Sequence, residues 1–194
     1  MRALSSELVR SFIAIEVKNR DVLRRLIEAR DRVAGVGVDL KPVEDENIHL
    51  TLRFIGEVPR STVEEVCGIV TGISFKPFEM HVKGIGGFPS LERPRVIWAG
   101  IEEGAGELLE LYRVVEAGLR RLGVKPEREE FTPHITLARV KGYRGLEKLV
   151  KVLLEMRDMD FGYTPVDEVI VKKSVLTPRG PIYSNICVKK LVQQ

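Results

Sequence analysis

Two alternating stretches, "IHLTLRFIG" (48–56) and "HITLARV" (134–140), constrain this chain more than any other feature. Strict alternation of apolar and other residues over such a length has the period of a β-strand, not of a helix. Each stretch contains His-x-Thr-x: His49-Leu50-Thr51-Leu52 and His134-Ile135-Thr136-Leu137, 85 residues apart. Successive strand side chains point to opposite faces, so His49 and Thr51 share one face, about 7 Å apart at the backbone, as do His134 and Thr136. Leu50, Leu52, Ile135 and Leu137 are left to bury on the other.

The rest of the chain alternates between strand and helix signals. "SFIAIEV" (11–17) reads as a buried strand, and Val22, Leu23, Leu26, Ile27 and Val33 then follow at helical spacing, with Gly35 as the stop. Ser61 and Glu64 suggest a capping box opening a helix near 61–72. "FEMHVKGI" and "RVIWAGI" are strands around a "GIGGFPSLERP" loop, and a long helix fits 104–122. After "HITLARV", "GLEKLVKVLLEMRD" is a helix. "VDEVIVKKSVL" and "PIYSNICVKKL" are strands flanking a turn at Pro178-Arg179-Gly180-Pro181. His49 to Trp98 and His134 to Tyr183 are both 49 residues, so a duplicated strand–helix–strand–strand unit is expected. No linker separates the halves. We therefore expect one domain over 1–194, α+β in class.

Composition bounds the function. Charged residues interrupt every apolar run well short of the ~20 residues that cross a membrane. The opening "MRALSSELVR" lacks a signal-peptide layout, so a cytoplasmic location is expected. A net charge of +3 does not by itself mark a nucleic-acid binder. Many charged residues with only five Asn or Gln is the composition of a protein from a hot environment. Cys67 and Cys187 lack CxxC spacing and lie in apolar contexts, which leads us to expect two buried thiols and no disulfide. His81 and Lys83 share a polar strand face and are expected to be solvated, whereas Trp98 and Tyr183 are expected in the core.

Two imidazoles and two hydroxyls facing each other across a cleft suit phosphodiester hydrolysis. One imidazole takes a proton from water and the other protonates the departing alkoxide, each within reach of its pKa near neutrality. Thr51 and Thr136 would hold the non-bridging oxygens. Arg139 lies three residues past Thr136, on the opposite face unless the strand twists or ends, and stands behind these four as a phosphate contact. Catalytic zinc usually takes three protein ligands, and neither His-x-Thr-x supplies a neighbouring Asp, Glu, Cys or second His, so no metal is expected. "GIGGFP" lacks dinucleotide-loop spacing, and no GxSxG occurs.

These two motifs, together with "RSFIAIEV", "GGFPSLERPRVIWAG", "FTPHITLAR" and "SVLTPRGPIYSNI", resemble the 2H phosphoesterases, in particular the RNA 2′,3′-cyclic phosphodiesterases once called 2′-5′ RNA ligases. The resemblance implies a bilobal α+β fold with two antiparallel sheets framing a central groove and helices outside. It implies metal-free hydrolysis of 2′,3′-cyclic phosphate RNA ends to 2′-phosphates; such RNA, tRNA halves included, is the expected partner, no cofactor is expected, and a monomer is expected. It assigns His49 as proton donor, His134 as proton acceptor, and Thr51 and Thr136 as phosphate contacts. Arg53 departs from the family pattern, which often has Lys there. Reverse 2′-5′ ligation, a non-catalytic RNA-binding module and action on small cyclic nucleotides are the alternatives.

Overall fold

The computed structural model describes residues 7–193, so the first six residues of the stretch read for a signal peptide lie outside it. Nine strands and four helices follow one another in the described chain: β1 (Leu8–Glu16), α1 (Arg20–Ala34), β2 (Leu40–Pro42), β3 (His49–Pro59), α2 (Arg60–Thr71), β4 (Phe78–Phe88), β5 (Val96–Ile101), α3 (Ala105–Arg121), β6 (His134–Val140), α4 (Leu146–Met156), β7 (Asp160–Val166), β8 (Glu168–Thr177) and β9 (Gly180–Lys190). The pairing runs β7-β4-β5-β6-β3-β1-β8-β9, antiparallel throughout, with β2 added to the end of β6.

The pairing makes one continuous curled sheet, whose two halves join where β3 touches β6, at Leu50 opposite Ile135. The aliphatic face of both strands is buried: Leu50, Leu52, Ile135 and Leu137 join a core that takes in Val22, Leu26 and Val33 of α1, Val63, Val66 and Val70 of α2, and Leu108, Leu111 and Val115 of α3. Burying such aliphatic side chains contributes about 1.5–3 kcal/mol each. The helices therefore cover the apolar face, and the His/Thr face is left open.

Most elements fall where the pattern puts them, and the differences have local causes. Helix α1 starts at Arg20 because Asn19 caps it, its Oδ1 accepting from the Asp21 and Val22 amides, and it ends at Gly35 as expected. The Ser61–Glu64 box does not form: Pro59 is the N-cap of α2 and no side chain caps it. Strand β7 has no counterpart in the sequence reading. It pairs with β4 from Phe78↔Val166 to Lys83↔Asp160, and Gly162 interrupts its alternation at φ 101°.

Three expectations are corrected. Cys67 of α2 and Cys187 of β9 form a disulfide, their Cα atoms 6.1 Å apart; 120 residues of sequence hid a neighbourhood that the β8–β9 pairing creates. His81 is buried rather than solvated. Its ring stacks on Tyr163 at 4.3 Å, and Nε2 lies 2.8 Å from Asp160 Oδ1 and Nδ1 3.2 Å from Glu102 Oε2, because β7 covers a face that looks open in the sequence. Trp98 and Tyr183 are half-buried and lie beside the histidines, not in the core.

Candidate active site

The burial pattern along β3 from His49 is repeated residue for residue along β6 from His134. In both, His and Thr are half-buried, the residues between them are buried, and then two consecutive residues are buried: Leu52-Arg53 and Leu137-Ala138. The doubling is a β-bulge. Against β1 the register jumps from Thr51↔Ala14 to Arg53↔Ile13, and against β5 from Thr136↔Trp98 to Ala138↔Ile97. A bulge inserts one extra residue and so reverses the parity beyond it. It returns Arg139 to the face of His134 and Thr136, correcting its placement on the opposite face, and puts Phe54 in the corresponding place on β3. The Arg139 charge accordingly reaches both His134 and Tyr183.

Antiparallel pairing centred on Leu50 and Ile135 sets His49 toward Thr136 and Thr51 toward His134. The imidazoles thus sit on a diagonal of one four-residue patch, where the charge on His134 reaches His49. Each ring is fixed in the same way. His49 Nδ1 is 2.6 Å from the Asn47 carbonyl, and His134 Nδ1 is 2.6 Å from the Thr132 carbonyl. A carbonyl only accepts, so Nδ1 carries the proton in both, and Nε2 is the working nitrogen. The Thr51 hydroxyl is 2.8 Å from His49 Nε2 and donates to it in the neutral ring.

Aromatic rings flank both sites. Phe12 (5.0 Å) and Tyr183 (5.5 Å, edge-on) pack on His49; Phe88 (5.0 Å, edge-on) and Trp98 (6.2 Å) pack on His134. Burial among them disfavours the charged imidazole. It lowers the His49 pKa to about 4, helped by the Lys172 cation, and lowers that of His134 with a contribution from Arg139. Burial also pushes the Tyr183 hydroxyl up.

Several contributors were not visible in the sequence. Lys172 of β8 is buried and donates to Glu16 Oε1 (2.7 Å) and Asn185 Oδ1 (3.0 Å), and Glu16 is the strand partner of His49. Asn47, whose carbonyl orients His49, also holds the Pro181 carbonyl at 2.9 Å and so fastens the β8–β9 turn to the site. Among the described residues no group of three or more His, Cys, Asp or Glu is placed to share a metal.

The family model for LigT-like phosphoesterases matches this chain twice, over residues 15–98 and 100–183. The chain is 47% identical over 162 residues to the RNA 2′,3′-cyclic phosphodiesterase of Aeropyrum pernix, covering 84% of this chain and 92% of that one. It is 35% identical over 187 residues to the protein of the same name from Methanothermobacter thermautotrophicus, covering 94% and 99%. Among solved structures, TT0787 of Thermus thermophilus superposes with a TM-score of 0.78 at 28% identity, covering 94% of this chain and 97% of that one. Two family matches, each holding one His-x-Thr strand, and relatives that align over nearly their whole length place the chain in the LigT-like family of 2H phosphoesterases.

Proposed function

We propose that this protein hydrolyses the 2′,3′-cyclic phosphate end of RNA to a 2′-phosphomonoester, the whole chain acting as one two-lobed unit. The observation that carries the reading is the matched pair of imidazoles on adjoining strands, each tied through Nδ1 to a carbonyl two residues upstream. The names of the relatives point to the same substrate.

In this reading His134 Nε2 accepts a proton from water as its oxygen bonds to phosphorus, and the bond from phosphorus to the 3′ oxygen breaks. His49, protonated at Nε2, gives that proton to the leaving 3′ oxygen. Thr51 and Thr136 donate to the non-bridging oxygens, and Arg139 offsets charge building on the phosphoryl group. His49 must therefore be charged at the moment of reaction, although its burial disfavours the imidazolium. The phosphate resolves this: its anion favours the imidazolium and raises the His49 pKa as it binds. Thr51 then turns its hydroxyl from Nε2 to the phosphate. Each acid or base contributes ~10²–10⁴-fold.

The same groups run backward with a 5′-hydroxyl in place of water and would form a 2′-5′ link, with dilute RNA in water favouring hydrolysis. Incubation with RNA ending in a 2′,3′-cyclic phosphate tests the proposal. The expected product is the 2′-phosphate, formed equally in EDTA. A 3′-phosphate product, or no turnover of this substrate, would overturn it.

A further inference from the structure

Arg53 is the second residue of the β3 bulge and points away from the open face. Only 2% of it is exposed. Its planar fork is occupied on all sides. Nε donates to Glu116 Oε2 of α3 at 2.7 Å, Nη2 to the Lys125 carbonyl at 2.6 Å, and Nη1 to the Phe54 carbonyl. Glu127 Oε2 lies 3.9 Å from Nε, while its other oxygen accepts the Phe54 amide at 3.4 Å.

Lys125 and Glu127 belong to the connector that leaves α3 and enters β6. That connector ends in Phe131-Thr132-Pro133-His134. Phe131 stacks on Tyr112 of α3 at 4.6 Å and 9°, and the Thr132 carbonyl takes the His134 Nδ1–H. One buried guanidinium therefore grips the strand that presents Thr51 and, through Lys125 and Glu127, the segment whose carbonyl aims His134. A buried charge is tolerated only when its donors are met. The ammonium of lysine lacks the flat fork needed to reach acceptors on two separate elements.

We infer that Arg53 is a positioning residue: from the strand of one histidine it fixes the connector that orients the other. Its activity arm rests on the phosphodiesterase reading above; its spectroscopic arm does not.

The test compares wild type with Arg53→Lys and with the double variant Arg53→Met, Glu116→Gln, in which neither buried charge is left alone. Two quantities are read: kcat and KM on RNA ending in a 2′,3′-cyclic phosphate, and the Nδ1–H resonance of each active-site histidine in 15N-labelled protein. Misplacing a reacting group by about 1 Å costs ~10²-fold, so kcat is expected to fall ~10–100-fold in the double variant, with KM within about twofold. The His134 Nδ1–H should broaden or exchange faster while that of His49 stays, and Arg53→Lys should fall between. The lysine variant keeps the charge and gives the same reading should the double variant not fold. Unchanged kcat with an unchanged His134 resonance overturns the inference. So does equal loss of both histidine resonances, which would make Arg53 a general stabiliser. If wild type turns over no cyclic-phosphate RNA, the function proposal fails, and the two resonances still decide the role of Arg53.

Discussion

Strands β3 and β6 are one backbone part used twice, yet the two histidines they present are not equivalent. Both strands place His and Thr on the open face, bulge at the fourth residue and lock Nδ1 to a carbonyl. The surroundings differ. His49 has Lys172, Glu16 and Asn185 behind it, Tyr183 on its edge and the Thr51 hydroxyl on Nε2, and its pKa falls to about 4. His134 has Arg139 beyond the bulge where β3 has Phe54, and among the described residues its Nε2 takes no hydrogen bond. The shared backbone delivers two imidazoles to one place, and the neighbouring strands give each a different electrostatic setting.

The largest test of that comparison removes the rings. His49→Ala and His134→Ala should each lower kcat/KM ~10²–10⁴-fold with little change in melting temperature, since both rings sit on the open face. A variant that keeps wild-type turnover would break the pairing of roles.

The hydroxyls sharpen it. Thr51→Val and Thr136→Val should each cost ~10²-fold in kcat, the scale of one lost donor to a developing oxyanion. Only Thr51→Val should also move the pH profile, because among the described residues only Thr51 bonds a histidine Nε2 in the site.

A third contrast is structural. The disulfide ties α2 to β9, the strand that carries Tyr183 and Asn185 on the His49 side, and nothing comparable among the described residues holds β7. Closing a loop of this length is worth about 3–5 kcal/mol. Reduction should therefore lower the melting temperature and disturb His49 more than His134, as followed by NMR under reducing conditions.

The smallest expected effects are in titration. The folded-state pKa of His49 lies below its ordinary 6.5, so the unfolded chain takes up the proton first. The fold thus pays no cost for His49 above about pH 6.5 and loses stability as pH falls from there toward 4, where the buried ring must take up a proton. Lys172→Met should raise the His49 pKa, and Arg139→Met that of His134, because each removes a cation that disfavours the imidazolium. A cross effect larger than the direct one would contradict the assignment of neighbours.

The central pair was legible in the sequence because a period of two decides which face His49, Thr51, His134 and Thr136 share. What the sequence concealed depended on departures from that period or on distant pairing. The bulges at Leu52-Arg53 and Leu137-Ala138 have no glycine or proline to mark them, so alternation alone puts Arg139 on the wrong face. The disulfide, Lys172 and Tyr183 depend on β8 and β9 folding back beside β1, which brings residues more than 100 positions away next to His49 and α2. His81 reads as solvated because β7, which covers it, leaves no mark in the pattern.

Titration of 15N-histidine-labelled protein with a nucleoside 2′-phosphate, followed by NMR, tests the convergence of the two imidazoles most directly. The account predicts that Nε2 of His49 and of His134 shift together along one saturation curve, with His81 unmoved and His49 gaining a proton as the phosphate binds. Movement of one active-site ring alone, or of neither while the nucleotide binds elsewhere, would contradict it.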